Sequence, residues 1–187
     1  MCEELEFIHR RKEEIMSLTT KLLRILIVVM AMGLPVFGAQ AAKPQTDAPS
    51  NDAVMKVVWH VDFGDPRRLS AMIQNVNNMV TTYQNDLADY DVRIVFLAGG
   101  IRFLTEDSLS GTPFAEDKEF KARRAELIQR LQQLRQLQNI KLELCEITRQ
   151  AINLPKARII PGVELVPSGV VRIAELQHKG FAYLKVE

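Results

Sequence analysis

Between Val54 and Val186 the chain switches repeatedly between two kinds of periodicity, and that alternation constrains its fold more than any other feature. Val54-Met55-Lys56-Val57-Val58-Trp59-His60-Val61 is a short apolar run rich in β-branched residues, stopped by the breakers Asp62-Phe63-Gly64-Asp65-Pro66, and it reads as a buried strand. From Pro66 to about Leu87, Leu69, Met72, Ile73, Val76, Met79 and Val80 recur at three- and four-residue spacing, giving a helix with one apolar stripe. The same alternation predicts strands over 92–98, 141–147, 162–166 and 181–186. It predicts helices over 116–138 and 148–153, and from Ser168 to Gly180. Residues 101–115 read as a connection. Short apolar strands separated by helices specify an open, mostly parallel α/β sheet covered on both faces.

In sheets of this kind a ligand binds beyond the carboxyl ends of the strands, so the strand-end residues are the candidates. They are His60 and Asp62, Gly99 and Gly100, Cys145 and Glu146, and the turn ending in Ser168. Thr148 is placed as the cap of a short helix whose amides favour a thiolate on Cys145, whereas a nearby Glu146 carboxylate opposes it. Two readings of Cys145 stand at this point, a reactive thiol or a small apolar packing residue. His60 has the same ambiguity, as a base or as a packed histidine. Gly99-Gly100 would let backbone approach an anion, but the sequence holds neither GxGxxG nor GxxxxGK[ST].

Composition narrows the partners. With 24 basic and 23 acidic residues the net charge is +1, so no global field draws the chain to nucleic acid, and the bases of the 116–138 helix are interleaved with acids. The apolar stripe of that helix (Phe120, Leu127, Leu131 and Leu134, widened by Ile128 and Leu137) serves as core or as a subunit contact. No cysteine–histidine spacing suits a metal, and no cofactor motif is present.

The first residues carry the pattern of an export signal: basic Lys21 and Arg24, the apolar run 25–32, the breaker Gly33-Leu34-Pro35, and the small-residue site Ala39-Gln40-Ala41. Five acidic residues lie within the first fifteen, so Met16 is the more natural start. The expected organisation is a signal peptide over 1–41, a flexible linker over 42–53, and one α/β domain over 54–187. The location expected from this is periplasmic, with membrane attachment only through an uncleaved signal. Cleavage would remove Cys2 and leave Cys145 without an intramolecular partner.

Four segments carry a family resemblance: KVVWHVDFGDPRRLSAMIQNVNNMV, VRIVFLAGGIRFL, NIKLELCEITRQ and IIPGVELVPSGVVRIAELQHKGFAYLKV. Together they resemble the DsrE/DsrF-like sulfur-relay family, in its exported single-domain branch. The resemblance implies a three-layer α/β/α sandwich on a five-stranded parallel sheet, assembled as a homo-oligomer (trimer or hexamer). It also implies a persulfide on Cys145, exchanged with donor and acceptor proteins without metal or organic cofactor. The alternative is a non-catalytic oligomeric binding module in which Cys145 is a buried structural residue.

Overall fold

The computed structural model describes residues 54–187; the expected signal and linker lie outside the described residues. Five strands form one sheet in the order β4-β3-β2-β1-β5, and every neighbouring pair is parallel. They are β1 (Met55–Val61), β2 (Tyr90–Phe96), β3 (Lys141–Cys145), β4 (Val163–Val166) and β5 (Ala182–Leu184). Four α-helices connect them: α1 (Pro66–Asn85), α2 (Lys118–Gln138), α3 (Glu146–Ala151) and α4 (Gly169–His178). This is the three-layer α/β/α architecture.

The two faces of the sheet are unequal, and the strand period of two explains why. Val57, Trp59 and Val61 of β1, Val92, Ile94 and Phe96 of β2, and Leu142 and Leu144 of β3 point to one side. There they form the main core with Leu69, Met72, Ile73, Val76 and Val80 of α1 and Phe120, Leu127, Leu131 and Leu134 of α2. The opposite side carries only a small apolar cluster, Val58 and Val95 under Ile173, Leu176 and Phe181. Among the described residues a single ten-residue helix, α4, covers that side.

Both long helices begin at aspartates that satisfy orphan amides. Asp65 accepts from the amides of Arg67 (2.7 Å) and Arg68 (3.0 Å), and Asp117 accepts from Phe120 N (2.8 Å). Asn139, in the left-handed region at φ 53°, ends α2 by donating its amide to Leu134 O.

Three expectations are corrected. The 101–115 connection is not all loop: Ala98–Leu104 is a 3-10 segment, and Ile101, Phe103 and Leu104 are fully buried in it. Arg102, also buried, donates to Gly64 O (3.1 Å) and to the cap carboxylate of Asp117 (2.9 Å), so this segment braces the starts of α1 and α2. Leu137 does not widen the buried stripe of α2, because it is 78% exposed. Finally, β3 ends at Cys145 and not at Ile147, because α3 begins directly at Glu146. Leu69→Ala should therefore cost about 3 kcal/mol in urea unfolding, as for a fully buried leucine. Leu137→Ala should stay within about 0.5 kcal/mol of the parent.

Candidate functional site

Cys145 is the last residue of β3 and the residue from which α3 starts, so its side chain meets the amide end of a helix. A second helix start arrives from the other side. Residue 145 pairs with Val166 across β3 and β4, and β4 leads through Pro167 and Ser168 into α4 at Gly169. A Cβ added to Gly169 would lie 3.0 Å from Leu97 Cδ2 and 3.1 Å from Cys145 Cβ, so only glycine allows this approach without a shift of its neighbours. Ser168 caps α4, its Oγ accepting from Val171 N at 3.4 Å.

The thiol is 5% exposed, and that burial pushes its pKa up. The amides of Gly169, Thr148 and Ile147 and the hydroxyl of Thr148 push it down, and they prevail, so the pKa lies below that of an ordinary thiol. Thr148 is not the cap placed there by the sequence reading; it lies within α3. Its Oγ1 accepts from Ala98 N at 3.0 Å, which leaves its proton for the sulfur. Ala98 itself has φ 45°, a left-handed conformation uncommon for a residue with a Cβ, and the Thr148 contact ties down that strained turn.

Glu146 does not oppose the thiolate as an unpaired charge. Arg149 holds its carboxylate at 2.6 and 2.8 Å, with Gln150 at 3.1 Å and Lys156 at 3.9 Å. Arg149 above all brings the Glu146 pKa to about 2.

Gly99 and Gly100 are used internally. The space beside them is filled by the end of β1 and the turn after it: a Cβ on Gly99 would meet Gly64 N at 2.8 Å, and one on Gly100 would collide with Val61 O. Gly99 N donates to Asp62 O at 3.1 Å. The glycines thus accommodate the chain's own backbone where the sequence suggested an anion.

His60 and Cys145 are not brought together. His60 is in register with Val95, and Val95 with Glu143, two residues short of Cys145. With β2 between them, the two residues lie roughly 10 Å apart across the sheet and roughly 7 Å apart along it. His60 instead forms its own cluster: Nδ1 is 2.8 Å from Tyr183 Oη, and Nε2 is 3.9 Å from Asp62 Oδ2. Asp62 accepts from Lys185 Nζ at 3.0 Å. Burial, ahead of the opposing field of Asp62, lowers the His60 pKa below its ordinary 6.5.

The sequence reading missed a cluster of three charged residues centred on Glu143, two positions before Cys145. Glu143, two positions earlier on β3 and on the same face, has no exposed surface. Arg172 of α4 grips it at 2.6 Å (Nε to Oε2) and 2.8 Å (Nη2 to Oε1), and Arg93 of β2 donates to Oε1 at 3.0 Å. Arg93 also holds Asp91, at 2.7 and 3.0 Å. Burial raises the Glu143 pKa, but Arg172 and then Arg93 overcome it, and the carboxyl stays below the usual range. Inward-facing charges on three adjacent elements were the available signal; the register that joins them is absent from any local window.

Two outcomes follow from this geometry. Thr148→Val removes both the acceptor for Ala98 N and a donor to the sulfur. It should lower stability by about 1 to 2 kcal/mol and move the appearance of the Cys145 thiolate, read by ultraviolet absorbance, to higher pH. His60 has a lowered pKa, so between that value and 6.5 the unfolded chain binds more protons than the folded one, and His60 makes stability rise with pH. The parent-minus-His60→Gln difference in unfolding free energy should therefore fall as pH drops below 6.5, and a flat difference would contradict it.

Comparison with known proteins agrees with this architecture. A family model described as the DsrE/DsrF-like family matches residues 55–186. The solved structure of a protein of unknown function, MTH1491 from Methanobacterium thermoautotrophicum, is 27% identical with a TM-score of 0.51, over 70% of this chain and 98% of that one. The ychN protein from E. coli is 16% identical with a TM-score of 0.42, over 70% and 99% of the two chains. No curated protein matches.

Proposed function

Since the chain belongs to the DsrE/DsrF-like family, we propose that it is a sulfur-handling protein that carries a persulfide on Cys145 and passes the outer sulfur to a partner. The observation that carries this reading is the position of Cys145 where two helix starts meet: it directly precedes α3, and Gly169, the first residue of α4, packs against it so closely that a Cβ there would lie 3.1 Å from Cys145 Cβ. A thiolate is the nucleophile that such chemistry requires. It attacks a sulfane sulfur of a polysulfide or donor persulfide, the new S–S bond forms, and the donor leaves as a species one sulfur shorter. An acceptor thiolate then attacks the outer sulfur, the S–S bond breaks, and Cys145 leaves as the thiolate. No electron is gained or lost overall.

The surroundings suit a transfer partner. Ile147, Val170 and Val171, at the starts of the two helices that meet at Cys145, are 59%, 67% and 55% exposed. Apolar side chains held out to solvent around a nucleophile fit docking by another protein surface. The same reading places the working protein in the cell envelope as a homo-oligomer, on the strength of the export pattern and the family.

One observation favours a second reading, a binding module without chemistry: the cysteine itself is only 5% exposed. Intact mass of the full chain, with Cys2→Ser as background, separates the two. Incubation with polysulfide should add one reducible sulfur per chain, and Cys145→Ser should abolish the gain. An unchanged mass in the parent would reject the carrier and leave the binding module.

A further inference from the structure

A Cβ on Gly169 would lie 3.1 Å from Cys145 Cβ, a closeness that lasts only while the first turn of α4 stays seated on β3, and little apolar surface keeps it there. Ile173, Leu176 and the following Phe181 rest on Val58 and Val95, which belong to β1 and β2. Nothing in that cluster comes from β3. Next to Cys145 the tie between α4 and β3 is ionic: Arg172 lies three residues after Gly169, Glu143 two residues before Cys145, and the two form a forked pair at 2.6 and 2.8 Å. Arg172 N also donates to Ser168 O at 2.9 Å, so the residue that grips Glu143 is part of the same turn as the cap.

We propose that the Glu143–Arg172 pair is a positioning device, locking the first turn of α4 to β3 so that Gly169, at the amide end of that helix, stays seated against Cys145. Arg172 and Glu143 touch no reacting atom; they act through the backbone of α4. The assignment deepens the Cys145 reading above. A two-pronged guanidinium–carboxylate contact fixes both distance and orientation, which a single apolar contact does not. Arg93 has a different part: it shares Glu143 Oε1 and anchors to Asp91, bracing the carboxylate from the β2 side without touching α4 through an ion pair. Other charges lie nearby: Glu146 pairs with Arg149 on α3, Glu175 lies 3.8 Å from Arg172, and Glu164 of β4, in register with Glu143, also bears on Arg172.

The test is an ultraviolet thiolate titration of the full chain in a Cys2→Ser background, with the Cys145→Ser spectrum subtracted. This readout does not require a reagent to reach the sulfur. Arg172→Gln should shift the titration to higher pH and reduce the thiolate fraction on its lower limb about tenfold, the loss expected for one hydrogen bond to a charged group. Asp91→Asn, which loosens Arg93 but leaves the α4 tie in place, should leave the curve where it is. An unmoved curve in Arg172→Gln overturns the proposal, and so does an equal shift in Asp91→Asn, which would reveal a general loss of rigidity. Should Arg172→Gln fail to fold, Arg172→Lys decides: it keeps the charge but loses the fork, and should give a shift of about threefold, no shift being contrary. Polysulfide loading is scored separately, so a thiol that titrates as expected but takes up no sulfur rejects the carrier and leaves the positioning role intact.

Discussion

A carboxylate with no exposed surface lies in the middle strand region of this sheet, and the arrangement around it follows from the need to keep it paired. Removing Glu143 from water carries a penalty of several kcal/mol that only close, well-directed partners offset. Two arginines supply them, one from the neighbouring strand and one from α4, the only helix on that side among the described residues. The pairing therefore dictates where α4 sits. The position of α4 then brings Gly169, which has no side chain, against Cys145, where any larger residue would have to push Leu97 or the cysteine aside. The sulfur's environment is downstream of an ion pair it does not touch.

The inequality of the two faces gives the domain a division of labour. On the α1/α2 side, large apolar residues from three strands and two helices are buried together, and stability resides there. On the α4 side the strands present charged and polar groups among a handful of valines: Arg93, Glu143, His60 and Tyr183 alternate with Val58 and Val95. That face relies on direction more than on area. Hydrogen bonds and ion pairs specify geometry where apolar contacts tolerate sliding, which suits a face that must hold amides against a single atom.

The fold was legible because its signals are local and periodic. The β-branched runs of β1 and β2 and the stripe of α1 announce themselves within windows of ten to twenty residues, and the parallel sheet follows from their alternation. The buried 3-10 segment was not legible, since a run such as Ile101-Arg102-Phe103-Leu104 beside two glycines has no period to read and its burial depends on Gly64 and Asp117 far along the chain. Cys145, Thr148 and Ser168 stood out at strand ends, although Thr148 works within its helix and not as a cap. His60 stood out for the same positional reason, yet strand order carried it away from the cysteine. Gly169, Arg172 and Glu143 were silent, because their importance lies in which strands become neighbours.

The amides that bear on Cys145 come from two stretches of chain more than twenty residues apart, at Thr148 and at Gly169. In an unfolded chain nothing holds them near the same sulfur, and the cysteine there is as inert as any free thiol at neutral pH. The part of its acidity that comes from Gly169 arises with tertiary closure and is lost when α4 lifts away. In a molecule built this way the surroundings of the cysteine are a property of the finished domain and of no shorter piece of it.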